Sequence, residues 1–336
     1  MRADSRPRPG GAVAVGSYIL KRTLGAVPLL LLISIIAFSL LALAPGDPLL
    51  AIRLENPRAV SAESIARLRE YYHLDDPIYV RYFHWLRSVL AGDWGYSSVY
   101  KTPVMELVHS RVPNTLILTM SAWLLGLLIA LPIGMVSASR QYSAFDYIVT
   151  FLAFLGLSMP PVWFGFMAIM LFSVKLRWLP IGGVSSMITG SSWAVFVDRL
   201  AHLILPMIVL GLVQVAYWVR YVRTSLLEVL GMDYIRTARA KGLDGRTVLT
   251  KHAMRNAMIP VLTIAALDIP YFFGGAVVVE TIFAWPGMGR LMYQAVIGGD
   301  YNLALCCLML LAVLTVVSNL IADVLYAVVD PRVVYS

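Results

Sequence analysis

Three carboxylates stand inside or at the edge of long apolar runs, at Asp268, Glu280 and Asp323. An unpaired carboxylate at the centre of a lipid-embedded helix costs about 2.5–3.5 kcal/mol on insertion scales. Asp268, near the middle of the run 257–279, is therefore expected to face protein or a water-filled path. There it can meet a cationic group of a permeant, or hydrogen bond a neighbouring helix, for instance through Gln214. Glu280 ends the same run on its outer side, where interfacial water makes a charge cheap, and both gating and plain surface exposure fit it. Asp323 lies within reach of headgroups and reads as structural. Other chemistry has no foothold: there is no G-x-x-x-x-G-K-[ST] phosphate loop, no H-E-x-x-H and no Cys-x-x-Cys, and the serines and histidines form no nucleophile pattern. The chain is expected to have no catalytic residues, no metal and no cofactor of its own. Active movement of a solute would draw its energy from a partner.

The elements that must position these residues are membrane helices. Of 336 residues 59% are hydrophobic and 14% charged, with a mean hydropathy of +0.76, which excludes an ordinary soluble domain and argues against a nucleic-acid partner despite the net charge of +8. Cys306 and Cys307 are adjacent in an apolar run and offer neither a disulfide framework nor a spaced metal site. Six apolar runs are long enough to span a bilayer, over 24–44, 114–138, 147–172, 202–218, 257–279 and 303–329. The first follows Lys21-Arg22 and exceeds a secretory signal core in length. Pro45 directly after Ala42-Leu43-Ala44 opposes cleavage, so it reads as a retained anchor. Six spans put both termini on one side. Fifteen Lys and Arg residues lie in the segments on that side against four in the short loops opposite, which places the termini in the cytoplasm. The long outer loop 45–112 carries helical patterns. One starts at Ser61 with Ile65, Leu68 and Tyr72 on a face, and one follows Asp76-Pro77 with Ile78, Tyr82, Trp85 and Val89 in register. A third short helix is capped by Thr102 and carries Val104, Leu107 and Val108. These faces suit a lid on the same chain or a docking site. Prolines at 132, 160, 161, 206 and 270 fall within four of the spans, and the backbone groups they free favour a pore or transporter over an inert anchor.

The longest well-charged interruption in the second half runs from Asp233 to Pro260. Asp233 is expected to cap a short helix with Ile235, Ala238 and Leu243 on one side, Gly242 to end it in a left-handed conformation, and 247–256 to form a second helix. Its six cations from Arg236 to Arg255 oppose one acid, Asp244. Anionic lipid would reward each cation by about 1 kcal/mol near the surface, but the small residues at the turn suit close packing against a protein.

This segment carries a resemblance. Tyr-Ile-Arg-Thr-Ala-Arg-Ala-Lys-Gly-Leu (234–243) followed by His-Ala-Met-Arg-Asn-Ala-Met-Ile-Pro (252–260) is similar to the coupling loop of ABC importer permeases of the peptide/nickel group. Arg236-Thr237-Ala238 stands where the general motif has Glu-Ala-Ala, and Gly242 matches its glycine. Leu-Ala-Pro-Gly-Asp-Pro (43–48), Gly-Leu-Ser-Met-Pro-Pro-Val-Trp (156–163), Val-Glu-Thr-Ile-Phe-Ala-Trp-Pro-Gly-Met-Gly-Arg (279–290) and Asp-Pro-Arg (330–332) resemble the same group in the same order. The resemblance implies a type I ABC importer fold: an all-α integral membrane protein with six transmembrane helices and a helical outer loop between the first two. Its parts are a cytoplasmic terminus 1–23, the span 24–44, the outer loop 45–112, a permease core 113–329 with the coupling loop 225–256, and a cytoplasmic end 330–336.

It further implies a second homologous permease subunit, two ATP-binding subunits that hold the ATP and Mg, and an extracytoplasmic solute-binding protein, in a bacterial or archaeal plasma (inner) membrane. Asp233, Arg236, Thr237, Ala238, Ala240, Lys241, Gly242 and Leu243 become the candidates for coupling to the ATPase. Asp268, Gln214, Pro160 and Glu280 are the candidates for the translocation path. Import of dipeptides or oligopeptides is the leading expectation, with nickel chelates, glutathione and oligosaccharides open within the group. An autonomous channel or secondary carrier would explain Asp268 and the prolines but leaves the coupling-type loop without a purpose.

Overall fold

The computed structural model describes residues 11–43, 69, 75–186, 189–274 and 276–329. Among them the elements are helical, apart from one isolated bridge between Tyr96 and Pro103. In chain order they are α1 (Gly11–Leu43), α2 (Ile78–Leu90), α3 (Val104–Ser139), α4 (Ala144–Ser158), α5 (Pro161–Ala168), α6 (Ser192–Leu230), α7 (Asp233–Ala240), α8 (Met254–Leu267), α9 (Val277–Ile282), α10 (Met288–Ile297) and α11 (Tyr301–Val329). Wide π-helical turns extend α5 through Ile169–Lys175 and lead into α8 through Val248–Ala253. The described residues divide into two compact units, one drawn from Met1–Val112 and Leu291–Val324, the other from Pro113–Arg290 and Leu325–Arg332.

In the first unit the apolar part of α1, Arg22–Leu43, is 22 residues long, about 33 Å at 1.5 Å per residue and enough for a hydrocarbon core of about 30 Å. α2 starts where Pro77 holds an extended backbone (φ −55°, ψ 145°), as Asp76-Pro77 predicts. Its Tyr82 and Trp85 rings pack on Phe38 with centroids 5.6 and 5.8 Å away, and the Tyr82 hydroxyl shares a 2.8 Å hydrogen bond with Ser34. The following loop is tied to α11 through buried Asp300, whose carboxylate accepts from the Ser97 hydroxyl, from Val99 N–H and from Leu303 N–H. This part of the outer loop thus packs on its own chain. Asp323 pairs with Arg22 at 3.0 Å, in keeping with a structural role. The pattern starting at Ser61, most of 43–48, and Asp330-Pro331-Arg332 lie outside the described residues.

Two expectations need correction, the short helix over 104–108 and the run 257–279, and the proline pair sharply bends the run 147–172. The short helix over Val104, Leu107 and Val108 is the start of α3, which runs 36 residues through Pro113; a proline in a strongly apolar helix bends it without ending it. Thr102 does not cap it, since its buried hydroxyl has no hydrogen-bond partner. The run 147–172 is not one rod: α4 and the α5 segment meet at 100°. Pro160 bars Met159 from the helical region and is itself extended (ψ 124° and 126°), while Pro161 restarts a helix where a missing N–H costs nothing. The run 257–279 is not one helix either. α8 stops at Leu267, a turn covers Asp268 to Pro270, and Tyr271–Gly274 and α9 are short separate pieces. Pro270 lacks the N–H and restricts Ile269, which is enough to close the helix on itself. Among the described residues, four helices are long and apolar enough to cross a membrane, or five with the bent pair counted as one span; the remaining expected span, 257–279, is made of shorter pieces.

The core of the second unit is built on α6. Leu205 and Val209 pack with Leu118, Ala168, Val279, Phe283 and Trp285. Further along, Trp218, Val219 and Val222 pack with Ala130, Val261 and Ala265. Gly134 lets α3 approach α6 so closely that a Cβ there would stand 2.9 Å from the Val222 side chain.

Candidate functional site

The basic hairpin is two-faced. On its inner side Ile235 and Ala238 are buried with Ala138, Leu226, Val248, Ala253 and Ala257, so α7 sits on the ends of α3 and α6. Met232, Asp233, Tyr234, Arg236, Thr237, Arg239, Ala240, Lys241 and Gly242 are exposed. Gly242 has φ +78°, the left-handed conformation its position predicts, and a Cβ built there would meet nothing within 4 Å. Two details differ from expectation. Asp233 is the first helical residue rather than the cap, a position Met232 fills without a side-chain bond; its carboxylate instead approaches Arg236 at 3.4 Å in full exposure. Leu243 stays 39% exposed, because the left-handed turn swings it off the face that Ile235 and Ala238 bury. The second arm starts earlier than expected, at Gly245, where the Asp244 carboxylate accepts Thr247 N–H at 3.0 Å. That capping holds the Asp244 carboxyl below its ordinary range. Asn256 donates to the Tyr234 hydroxyl at 2.8 Å and ties the arms together.

Asp268 is half-buried at the break after α8, and its partner is the Trp123 indole N–H at 3.3 Å, not Gln214. Trp123 stands edge-on to Phe272 and Trp218, with centroids 5.6 and 6.5 Å away. Gln214 meets the same turn of α3 from α6: a Cβ on Gly126 would lie 2.9 Å from its Cβ. Asp268 and Gln214 therefore approach one turn of α3 without bonding each other. Pro160 is exposed at the elbow between α4 and α5.

Glu280 is fully buried, which removes plain surface exposure, one of the two readings open for it. Thr115 donates its hydroxyl to Glu280 Oε1 at 2.8 Å and accepts Met288 N–H at 2.8 Å, while Arg290 N–H donates to Oε2 at 2.8 Å. The carboxylate thus sits at the opening turn of α10, where unpaired N–H groups favour an anion. A Cβ at Gly287 would stand 2.3 Å from its carboxyl, so the glycine leaves the space the acid fills. Asn114 and Trp285 close the surround, with Asn114 Nδ2 donating to Pro286 O and Trp285 Nε1 to Asn114 O, both at 2.9 Å.

One cluster escaped the sequence reading. Asp146, at the third position of α4, is buried and held by both prongs of Arg223 from α6, Nε to Oδ1 at 2.7 Å and Nη2 to Oδ2 at 2.8 Å. Ser137 of α3 donates to Oδ1 and Tyr142 N–H to Oδ2. Arg223 counted only as one more loop cation; a Ser143-x-x-Asp146 capping pattern beside a span end was the available signal.

The sequence pattern described as "Binding-protein-dependent transport system inner membrane component" matches residues 130–335, and the pattern for the N-terminal part of such components matches residues 15–119. The chain belongs to this family. It is a membrane-spanning permease subunit of an ABC importer, a multi-pass inner-membrane protein and not an enzyme; ATP hydrolysis falls to partner subunits. It is 47% identical over 322 residues to the oligopeptide transport system permease protein AppB of Bacillus subtilis, covering 96% of this chain and 100% of AppB. It is 39% identical over 334 residues to the dipeptide permease DppB of Escherichia coli (94% and 98% covered) and 38% identical over 320 residues to the glutathione permease GsiC of Salmonella typhimurium (95% and 99%). Its fold is similar to that of an inward-facing structure of the MetNI methionine ABC transporter, with a TM-score of 0.52 at 20% identity over 67% of this chain and 97% of that one.

Proposed function

We propose that this permease forms half of the translocation path of an ATP-driven peptide importer, paired with a second homologous permease subunit, two ATP-binding subunits and an extracytoplasmic solute-binding protein. The observation that carries the reading is the hairpin, with Ile235 and Ala238 anchored in the span ends while the turn at Gly242 is left open. Asp233 to Leu243 would then occupy a cleft of the ATPase on the cytoplasmic side, where the termini also lie. Nucleotide binding closes the ATPases, the hairpin carries that movement to α3 and α6, and the cavity alternates between inward and outward access. Peptides are favoured as cargo by the AppB and DppB relatives. The GsiC relative, with a cargo that is itself a small peptide derivative, keeps glutathione as the second reading.

On the path, Asp268 supplies a negative charge for the ammonium end of a peptide, and Gln214 adds a polar group near the same turn of α3. Glu280 and Pro160 shape the path indirectly, through the α10 turn and the elbow. The test is ATP hydrolysis by the lipid-reconstituted complex against dipeptides, longer peptides, glutathione, nickel chelates and oligosaccharides. Stimulation by peptides is expected. Stimulation by another class alone moves the cargo, and no associated ATPase overturns the reading.

A further inference from the structure

The Asp146 cluster lies in the same turns that receive the hairpin. Ala138 of α3 shares the buried cluster of Ile235 and Ala238, with Met135 packed against that cluster, and Ser137, between them in sequence, turns its hydroxyl to Asp146. On α6, Leu226 belongs to the same cluster, with Leu227 and Leu230 packed against it, and Arg223, one turn earlier, grips Asp146. A single carboxylate thus joins three helix ends, and its fourth contact comes from Tyr142, a non-glycine residue held at φ +63°. That conformation costs about 1–2 kcal/mol, and it aims the Tyr142 N–H at Oδ2 at 3.0 Å. α4 has no other polar tie of this strength to the hairpin's seat among its described bonds. It leads directly to the 100° elbow and α5, whose Gly165 backs onto Ile282 of α9.

We infer that Asp146 is a positioning residue for energy coupling: with Arg223 and Ser137 it locks the start of α4 to the α3 and α6 ends that seat the hairpin, so that displacement of the hairpin moves α4 with them. This rests on the reading of the hairpin as the docking element. A two-pronged Arg–carboxylate grip suits the task because it fixes angle as well as distance.

A buried ion pair can also be kept for shape alone, and replacing both partners by apolar residues of similar size is often neutral for stability, whereas removing one leaves a buried charge unpaired. That difference provides the test. In the reconstituted complex with its ATPase and permease partners, Asp146→Asn is expected to lower both thermal stability and peptide transport. The double variant Asp146→Leu with Arg223→Met is expected to recover the stability, while peptide transported per ATP hydrolysed remains roughly 3- to 30-fold below wild type, the range open to residues that carry coupling. Recovery of transport per ATP together with stability overturns the inference. If the double variant fails to insert, Arg223→Lys, which keeps the charge but loses the fork, replaces it, and unchanged transport per ATP in that variant also overturns it. A wild-type complex without peptide-stimulated ATPase would sink the reading of the hairpin itself. A wild-type complex that couples, beside equally coupled variants, sinks only the role of Asp146.

Discussion

Replacing Gly242 separates what the chain needs from what its partner needs. At φ +78° any L-residue pays a left-handed penalty of about 1–2 kcal/mol, and that penalty is nearly the same for alanine and tryptophan because it arises at Cβ. A Cβ built at Gly242 meets nothing within 4 Å, and the turn itself is exposed, so a longer side chain has solvent to extend into. For the isolated chain, Gly242→Ala and Gly242→Trp should therefore be alike, each loosening an exposed turn and leaving insertion and melting temperature close to wild type. In the assembled importer they should part. An indole in a filled cleft must be expelled or must expel its neighbours, and overpacking of a close contact costs about 1–3 kcal/mol, or roughly 5- to 150-fold in docking equilibrium. The assay is peptide-stimulated ATP hydrolysis and uptake in proteoliposomes, with melting of the purified permease as control. Alanine is expected to lower coupling by up to about tenfold through the turn, and tryptophan to abolish it. Equal coupling in the two variants refutes the idea that a partner fills the space.

Three further outcomes follow from the geometry. Thr115→Val keeps the shape but leaves Glu280 Oε1 and Met288 N–H unpaired in the interior, at about 1–3 kcal/mol for each group; a lower melting temperature checks it, and an unchanged one would show that Thr115 is not needed to satisfy them. Gly182→Ala would press a Cβ to 2.2 Å from the Phe283 carbonyl oxygen, backbone against backbone, so the loop after α5 must shift, and faster protease cleavage there is the readout. Asp268→Asn is expected to weaken uptake of peptides with a free amino terminus more than uptake of N-acetylated ones, with basal ATP hydrolysis retained. Loss of both uptakes together with the yield of folded protein would make Asp268 structural.

The apolar runs that became α1, α3, α6 and α11 were legible because twenty consecutive apolar residues have few alternatives. Gly242 and the Pro160-Pro161 elbow were legible for the same kind of reason: their backbone chemistry is local. The fifth run misled, since average hydropathy does not register that Asp268, Ile269 and Pro270 form a turn. Glu280 misled differently. Its burial depends on Thr115, 165 residues away, and on Gly287, which leaves the space its carboxyl fills. Asp146 and Arg223 are 77 residues apart, and a count of loop charges treats them as unrelated. Leu243 kept helical spacing with Ile235 yet left its face, because the spacing no longer applies once Gly242 turns left-handed.

Cys306 and Cys307 are the only thiols in the chain, and both are fully buried within it. With both thiols buried in the chain itself, a charged maleimide should find the native protein blank. Single cysteines placed at Gly242, on Lys175 or near either terminus could then be read one at a time in intact cells, without first stripping the natural ones. The arrangement makes the wild-type sequence its own reporter background for deciding which face of the membrane each loop occupies.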